Sequence, residues 1–193
     1  MLRIHGYPVS TYTRTATMAC IEKGVAHELV PIEYGSAAHV ALHPFSRIPV
    51  LEHDDTVIFE TLAITSYIDE AFAGLALQPT DALARARMLE WVGLCSDYVY
   101  RDVVRGLPRK RPPNDEELCA ARSALRRLDG LIGDRFLAGD ALSLADLYLA
   151  PQISNACEKL GDALDQLDSL RAWYERLARR ESFRRTAYDP ASL

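Results

Sequence analysis

A proline-anchored loop followed closely by a strand-to-helix corner constrains the fold of this chain more than any other feature. The loop, residues 43–51, reads HPFSRIPVL, and the corner, residues 59–64, reads FETLAI. Pro49 has no N–H to donate, so it suits the position just before a strand and leaves Ile48 to direct its backbone groups elsewhere. The Ile48–Pro49 bond is therefore a candidate for the cis isomer, which is a minority state.

The corner has the features of an anion-binding site. Apolar runs on either side of the polar residues 53–56 predict two strands joined by a turn, with Val50 in the first strand and Val57 in the second. Glu60 and Thr61 then open a helix, whose first N–H groups lack intrahelical acceptors and whose dipole attracts negative charge. The sequence therefore predicts a place for an extended peptide with a carboxylate at one end.

The segment from His43 to Tyr67 resembles the glutathione-binding signature of the cytosolic glutathione transferase family, in a short form similar to bacterial members. In that family an Ile/Val-Pro pair precedes the third strand, and a Glu-Ser or Gln-Ser pair opens the third helix. Thr61 stands here where serine is usual and keeps the hydroxyl. The resemblance implies glutathione as co-substrate and no metal. It also implies binding by Ile48 beside Pro49 at the cysteinyl group, and by Glu60 and Thr61 at the γ-glutamyl end.

The glycyl carboxylate of glutathione needs a cationic or polar partner, which the family usually supplies from the loop after the second strand. His39, His43 and Arg47 are available in this region. His43 precedes a proline and suits a turn. We therefore prefer Arg47, beside Ile48, as a further glutathione-binding residue.

Strand and helix patterns predict an α/β first domain. Leu2–His5 alternates as a strand, Thr11–Lys23 follows as a helix, and His27–Ile32 returns as a strand, so the first two strands should be parallel. With the two strands and the helix after Pro49, residues 1–75 predict a thioredoxin-like domain, as the resemblance implies.

Beyond a linker that contains Pro79 the strand signal stops, and residues 82–193 predict an all-helical second domain. Two capping pairs mark helix starts there: Asn114 with Glu117, and Ser143 with Asp146. The helix after Asn114 is predicted to end at Gly133. The run Phe136–Asp146 also resembles the buried capping motif of the transferase C-terminal domain, whose role is in folding.

Charge and cysteine usage exclude several classes of function. Residues 1–75 contain four Lys/Arg against nine Asp/Glu, and nucleic-acid binding needs a basic face, so we expect no nucleic acid as a partner. No stretch approaches the ~20 apolar residues of a membrane helix. Arg3 and His5 interrupt the apolar run of a signal peptide. The cysteines form no CxxC pair and indicate reduced thiols in a cytoplasmic protein: Cys20, Cys95, Cys119 and Cys157.

Ser10 is the candidate catalytic residue. The family works by holding the glutathione sulfur as a thiolate, and a thiol of pKa ~8.5 is only about 3% ionised at pH 7. Lowering that pKa by two units takes about 2.7 kcal/mol. One hydrogen bond to a charged group supplies ~1.5–3 kcal/mol and a helix N-terminus up to ~1 kcal/mol. One hydroxyl ahead of the first helix is therefore sufficient, and the run Pro8–Arg14 resembles the serine-type site of the family, with Thr11 where many relatives have proline.

Other hydroxyls compete with Ser10. Some classes of the family use a tyrosine at the end of strand one, but the alignment places Gly6 at that position and Tyr7 one residue beyond it. Tyr12 and Thr13 remain alternatives, and helix capping alone would also explain Ser10. Relatives with a catalytic cysteine carry it at the Ser10 position, whereas Cys20 falls on the small-residue face of the first helix and is interpreted as a structural thiol.

The second substrate is expected to be a small hydrophobic electrophile. Tyr98, on the helix that contains Trp91, and Tyr12 are the candidate contacts for it. The resemblance also implies a homodimer in which the helix Leu62–Phe72 packs against the partner's helix Arg85–Val104. We therefore expect a transferase that conjugates the glutathione thiolate to this electrophile. A glutathione-dependent isomerase or dehalogenase, and a non-catalytic interaction module, remain open alternatives.

Overall fold

The computed structural model describes residues 1–187, and their contacts divide the chain into two compact units. The first unit contains Met1–Leu77 together with the described residues from Glu181 onward, and the second is Gln78–Arg180. The predicted division into residues 1–75 and 82–193 differs at its C-terminal end, because the short helix Glu181–Arg185 packs on the first unit. Residues 188–193 lie outside the described part of the chain.

The first unit is built around a four-stranded sheet. Its elements are β1 (Leu2–His5), α1 (Thr11–Lys23), β2 (His27–Val30), α2 (Ala37–Leu42), β3 (Val50–His53), β4 (Thr56–Phe59) and α3 (Thr61–Ala71). The strand order is β2-β1-β3-β4. Strands β1 and β2 are parallel, as the sequence predicts, and the other two pairs are antiparallel. This is the thioredoxin-like arrangement.

Apolar residues of alternate strand positions form the core of the first unit. Leu2, Ile4 and Leu51 are fully buried, and Ile4 lies directly opposite Leu51, so they share one face of the sheet. Helices α1 and α3 pack closely against each other and against β1 and β3. A side chain at Gly6 would collide with the hydroxyl of Thr13, so only glycine lets the first turn of α1 approach the end of β1 this closely.

The regular elements of the second unit are all helical in the part that the structure describes. They are α4 (Ala82–Leu94), a π-helix (Cys95–Arg105), α5 (Asp115–Asp129), α6 (Leu144–Leu160) and α7 (Asp168–Ala178); the last helix of the chain, α8 (Glu181–Arg185), belongs to the first unit. None of the helices within residues 1–187 is both long and apolar enough to cross a bilayer.

The π-helix follows from an apolar stripe with a period of four residues. The stripe consists of buried residues at equal spacing: Trp91, Cys95, Val99, Val103 and Leu107. An α-helix turns about 100° per residue, so a period-four stripe would drift by about 40° at each step and leave the core. The wider π-helix, with its i→i+5 hydrogen bonds, turns less per residue, so its drift over four residues runs the opposite way and offsets the drift of the α-helical part. The neighbours of this segment are α4, α5 and α6.

Both predicted capping pairs begin helices. The Asn114 side chain accepts from the Glu117 N–H at 2.9 Å, and the Glu117 carboxylate accepts from the Asn114 N–H at 2.9 Å. The predicted end of this helix at Gly133 is wrong, because α5 ends at Asp129. Gly130 takes the C-cap position, and a tighter turn follows, in which the N–H of residue 131 donates to the carbonyl of residue 128.

Asp146 connects three segments of the second unit. Its carboxylate is fully buried and accepts from the Ser143 N–H at 2.9 Å, the Leu137 N–H at 3.0 Å and the Trp173 Nε1–H at 2.9 Å. Burial raises the pKa of Asp146 above its ordinary value, and these hydrogen bonds oppose that rise. The predicted role of this motif in folding agrees with such a geometry, because one side chain joins the preceding turn to α6 and α7.

Candidate active site

All four strands have a terminus at one edge of the sheet, where β1, β2 and β4 end and β3 begins. His5 pairs with Val30 on one side and with Val50 on the other, and Val50 pairs with Phe59. From this row the chain leaves toward α1, α2 and α3 and arrives from the proline loop. Neighbouring strands lie about 4.8 Å apart, so the row spans about 14 Å, enough for an extended tripeptide of about 10 Å.

The structure brings the sequence-predicted residues of the first unit to this edge. Ser10 lies in the connection after β1, Ile48 and Pro49 precede β3, and Glu60 and Thr61 follow β4. The remaining candidates of this unit are Arg47, in the loop before Pro49, and Tyr12, half-buried in the first turn of α1. Tyr98 belongs to the second unit, where it is 52% exposed on the π-helix.

The Ile48–Pro49 peptide bond is cis, as the sequence predicts. Pro49 is buried, and Ile48 is half-buried. The β1–β3 ladder begins at Val50, so the backbone N–H and C=O of Ile48 lie outside it. These two groups are therefore placed at the end of the sheet, where they could pair with an extended peptide.

Glu60 has a strained backbone and an exposed side chain. Its φ of 70° and ψ of 120° lie in a region that favours glycine, at a cost of about 1–3 kcal/mol that is typical of functional sites. The Glu60 side chain is 71% exposed. Ser10 caps α1 and Ser36 caps α2, whereas no side chain caps the first turn of α3 among the described residues. The N–H groups at the start of α3 are thus oriented to bind an anion.

Ser10 caps α1 in a way that leaves its proton for another acceptor. Its Oγ accepts from the Thr13 N–H at 3.3 Å, which uses one oxygen lone pair. Ser10 is half-buried, and its backbone is extended at φ −74° and ψ 123°. Capping and donation to a bound thiolate are therefore compatible for the same hydroxyl.

Two of the competing hydroxyls lie in surroundings that do not suit donation to a bound thiolate. The Tyr7 hydroxyl donates to the carbonyl of Ile32. The Thr13 hydroxyl is buried against Gly6 and has no hydrogen-bond partner within residues 1–187. Cys20 is fully buried, and burial raises its pKa to about 12, so it is an unreactive structural thiol.

The loop that contains Arg47 is held by a buried histidine. His39 accepts from the Gly35 N–H at 3.1 Å through Nδ1, and its Nε2 lies 3.0 Å from the Arg47 carbonyl oxygen. Both ring nitrogens are thereby used, so His39 is not available to the glycyl carboxylate. The Arg47 guanidinium is exposed and donates to the Tyr34 hydroxyl at 3.2 Å.

His43 lies beside both the proline loop and the corner before α3, which its prediction as a turn residue does not anticipate. The residue is 1% exposed, and its ring lies 4.8 Å from the ring of Phe59, centroid to centroid. Its Nδ1 accepts from the Phe45 N–H at 3.1 Å, which agrees with the predicted turn, and its Nε2 lies 3.7 Å from a carboxylate oxygen of Glu60. Burial lowers the pKa of His43 below its ordinary 6.5. Within residues 1–187, no three His, Cys, Asp or Glu side chains are placed to hold a metal ion.

Comparisons with known proteins assign both units to one family. Residues 4–76 match the glutathione S-transferase N-terminal domain, and residues 86–181 match the glutathione S-transferase C-terminal domain. The chain is 30% identical to glutathione S-transferase 3 of Zea mays, over 96% of this chain and 92% of that protein. It is 31% identical to a glutathione S-transferase of Pseudomonas putida over 86% and 81% of the two chains. It is 28% identical to maleylacetoacetate isomerase of Pseudomonas aeruginosa over 95% and 94%.

A solved structure shows the same fold over the whole length. The crystal structure of a glutathione S-transferase from Rhodospirillum rubrum F11 superposes with a TM-score of 0.87 at 26% identity, and the match covers 98% of this chain and 94% of that one. The first unit is thioredoxin-like and the second is helical, and one sheet edge has a cis-proline and an uncapped helix start. This combination defines a two-domain transferase. The chain belongs to the glutathione S-transferase family and is a transferase enzyme. The predicted family and fold class are confirmed.

Proposed function

We propose that this enzyme binds glutathione as a thiolate and conjugates it to a small hydrophobic electrophile. The observation that carries the proposal is the shared sheet edge: the cis Ile48–Pro49 bond precedes β3 there, α3 starts there after β4, and Ser10 lies in the connection from β1 to α1. Each supplies a different group: a hydroxyl proton, a pair of backbone groups and a set of helix N–H donors. Together these match the functional groups of one tripeptide thiol.

The γ-glutamyl end of glutathione has an ammonium and a carboxylate, and α3 offers a partner for each. The exposed Glu60 carboxylate attracts the ammonium, while the Thr61 hydroxyl and the first N–H groups of α3 bind the carboxylate. The Ile48 backbone pairs with the cysteinyl group. Because residues 1–75 have an excess of acidic side chains, these local donors must hold the anionic peptide without help from a long-range field.

The glycyl carboxylate is assigned to Arg47. Its guanidinium is exposed, and the hydrogen bond to the Tyr34 hydroxyl restrains it beside the proline loop. A guanidinium suits this task because it presents several N–H donors in one plane to a carboxylate. His39 supports the assignment, since its ring holds the backbone carbonyl of Arg47 in place.

Ser10 stabilises the glutathione thiolate by donating its hydroxyl proton to the sulfur. The thiolate then attacks the electrophilic carbon, a carbon–sulfur bond forms, and the displaced electron pair leaves with a halide or moves onto an adjacent activating group. No redox change is needed. Tyr98 is 52% exposed on the π-helix, so its ring is accessible to a ligand, and Tyr12 is the second aromatic contact proposed for the electrophile. The enzyme is proposed to act in the cytoplasm as a homodimer.

A glutathione-dependent isomerase is the second candidate. It is supported by the 28% identity to the maleylacetoacetate isomerase of Pseudomonas aeruginosa over nearly the full length of both proteins. In that reaction the thiolate would add to a double bond and leave again, so the same binding residues would serve. Rates with an aryl halide and with maleylacetoacetate distinguish the two activities. A non-catalytic binding module would retain glutathione and show neither activity.

Calorimetry with glutathione tests the proposed site. We expect the Glu60→Ala and Thr61→Ala variants to bind glutathione at least ~1–3 kcal/mol more weakly, because each loses a hydrogen bond to a charged group. Asp55→Ala is the matched control, since it removes an exposed carboxylate from the turn at the other end of the sheet. Unchanged affinity in both variants, with the fold intact, would move the peptide site elsewhere.

A further inference from the structure

We propose that His43 is a positioning residue for glutathione binding: its imidazole donates from Nε2 to the Glu60 carboxylate and orients it toward the γ-glutamyl ammonium, an inference that rests on the proposed function. His43 touches both halves of the site through one ring. It accepts from the Phe45 N–H in the proline loop, and it faces Phe59 and Glu60 at the corner before α3.

The hydrogen bond at Nδ1 fixes the tautomer of His43. A neutral imidazole has one N–H and one acceptor nitrogen, and Nδ1 accepts from the Phe45 N–H at 3.1 Å. The proton therefore sits on Nε2, which points toward Glu60. The 3.7 Å between Nε2 and the Glu60 oxygen exceeds a hydrogen bond, but the exposed Glu60 side chain can close that gap by rotating.

Donation from His43 would have a specific consequence for the ligand. An exposed glutamate samples many side-chain rotamers, and ordering it on binding costs free energy. Once Nε2 donates to one carboxylate oxygen, the other oxygen is left for the ammonium, so His43 limits the rotamers that Glu60 must give up. The His43 ring has little freedom to change its orientation, because it is buried and packed on Phe59.

The same geometry makes glutathione binding sensitive to acid. A protonated imidazole still donates from Nε2, but its new Nδ1–H would face the Phe45 N–H, so the loop contact that fixes the ring in front of Glu60 would be lost. The charged and titratable groups that face His43 are Glu60, which raises its pKa, and His39 and Arg47, which lower it. Burial lowers the pKa most. Affinity should therefore be complete above pH ~6.5 and fall as the pH drops through the lowered pKa.

Two substitutions separate the roles of the two ring nitrogens. His43→Asn places an amide oxygen where Nδ1 accepts from the Phe45 N–H but reaches no further, so the turn is kept and the Glu60 contact is lost. His43→Gln places an amide near the Nε2 position. We expect His43→Asn to weaken glutathione binding about tenfold with little change in melting temperature, and His43→Gln to recover most of that loss.

The closing experiment measures glutathione affinity by calorimetry from pH ~5 to pH ~8 for wild type and both variants. We expect an acid decline in wild type that is absent in His43→Asn. Equal affinities and coincident pH profiles of wild type and His43→Asn would overturn the inference but leave the proposed function intact. Failure of wild type to bind glutathione at any pH would instead overturn the proposed function, and this inference with it.

A measurement without ligand tests the contact itself. NMR titration of the free protein should show a lower His43 pKa in Glu60→Gln than in wild type, because the carboxylate favours the protonated imidazole. An unchanged His43 pKa would mean that the two groups do not interact, which would also overturn the inference.

Discussion

Ser10 shows how a single hydroxyl can serve both the fold and the chemistry. As the N-cap of α1 it accepts from the Thr13 N–H through a lone pair, and its proton stays available to a ligand at the same sheet edge. The start of α1 adds its own partial positive charge beside that proton. If the sulfur binds beside Ser10, as proposed, both effects would favour a thiolate over a thiol, and neither requires the helix cap to break.

We expect Ser10→Ala to raise the pKa of the bound glutathione thiol while affinity for the tripeptide is largely kept. Turnover of an aryl halide near pH 7 should fall by roughly 10- to 100-fold, which corresponds to the loss of ~1.5–3 kcal/mol. Much of the activity should return at higher pH, because solvent then ionises the thiol. Thiolate absorbance, titrated on wild type and variant, measures the shift directly.

The control for Ser10→Ala separates capping from catalysis. Asn114→Ala removes an N-cap of comparable type from α5, in the second unit, and should cost about 1 kcal/mol of stability without moving the thiol pKa. Coincident thiolate titrations for wild type and Ser10→Ala would rule out Ser10 as the activating group and leave capping as its only role.

Residue types at the site could be read from the sequence, but the contacts between them could not. The cis Ile48–Pro49 bond and the helix start at Glu60 follow from local rules about proline and helix ends. The burial of His43 against Phe59 depends on how the end of β4 lies beside the loop after α2, which no local pattern encodes. The Arg47–Tyr34 hydrogen bond is of the same kind.

At the scale of elements, the sequence predicts long regular segments better than short or irregular ones. The sequence does not predict α2, since this helix has only six residues and no apolar stripe of its own. The helix predicted over Arg85–Val104 is one continuous helical segment in the structure, but its second half, Cys95–Arg105, is wound as a π-helix. The sequence carries one sign of this irregularity, because its apolar residues here have a strict spacing of four, a period longer than the 3.6 of an α-helix.

The π-helix gives adjacent residues opposite roles, which can be tested as a pair. Val99 is buried in the period-four stripe, whereas Tyr98 is 52% exposed with Arg101 over its ring. We expect Val99→Ala to destabilise the protein by about 1–3 kcal/mol through lost apolar burial and a residual cavity. Tyr98→Ala should stay within ~0.5 kcal/mol of wild type but raise the KM for the hydrophobic electrophile.

Urea unfolding and steady-state kinetics on both variants check this pair of expectations. The KM for glutathione should be unchanged in Tyr98→Ala, since the proposed peptide site lies entirely in the first unit. A Tyr98→Ala variant with normal KM for several electrophiles would remove Tyr98 from the substrate contacts. Loss of stability in Tyr98→Ala rather than Val99→Ala would contradict the assignment of faces on the π-helix.

For the molecule as a whole, the order of a thioredoxin-like domain and a helical domain could be predicted, but the return of the chain at its end could not. Helix α8 packs on α1, where the Phe183 ring lies 5.2 Å from the guanidinium carbon of Arg14 and Ser182 donates to Glu22. These partners are separated by about 160 residues in sequence. The local pattern of α8 gives no sign of its partner, so the sequence alone predicts that residues after 180 belong to the second domain.

The last prediction concerns assembly, with α3 of one protomer packed against α4 and the π-helix of its partner. Leu89 lies on α4 with 42% of its surface exposed in the single chain, so an interface there would bury apolar area. We expect sedimentation at micromolar concentration to give about twice the 21.5 kDa of one chain. Leu89→Glu should shift the protein toward the monomer, because a carboxylate buried without a partner is costly, whereas Leu131→Glu, at an exposed leucine after α5, should leave the dimer unchanged. A wild-type mass near that of one chain would contradict the predicted homodimer.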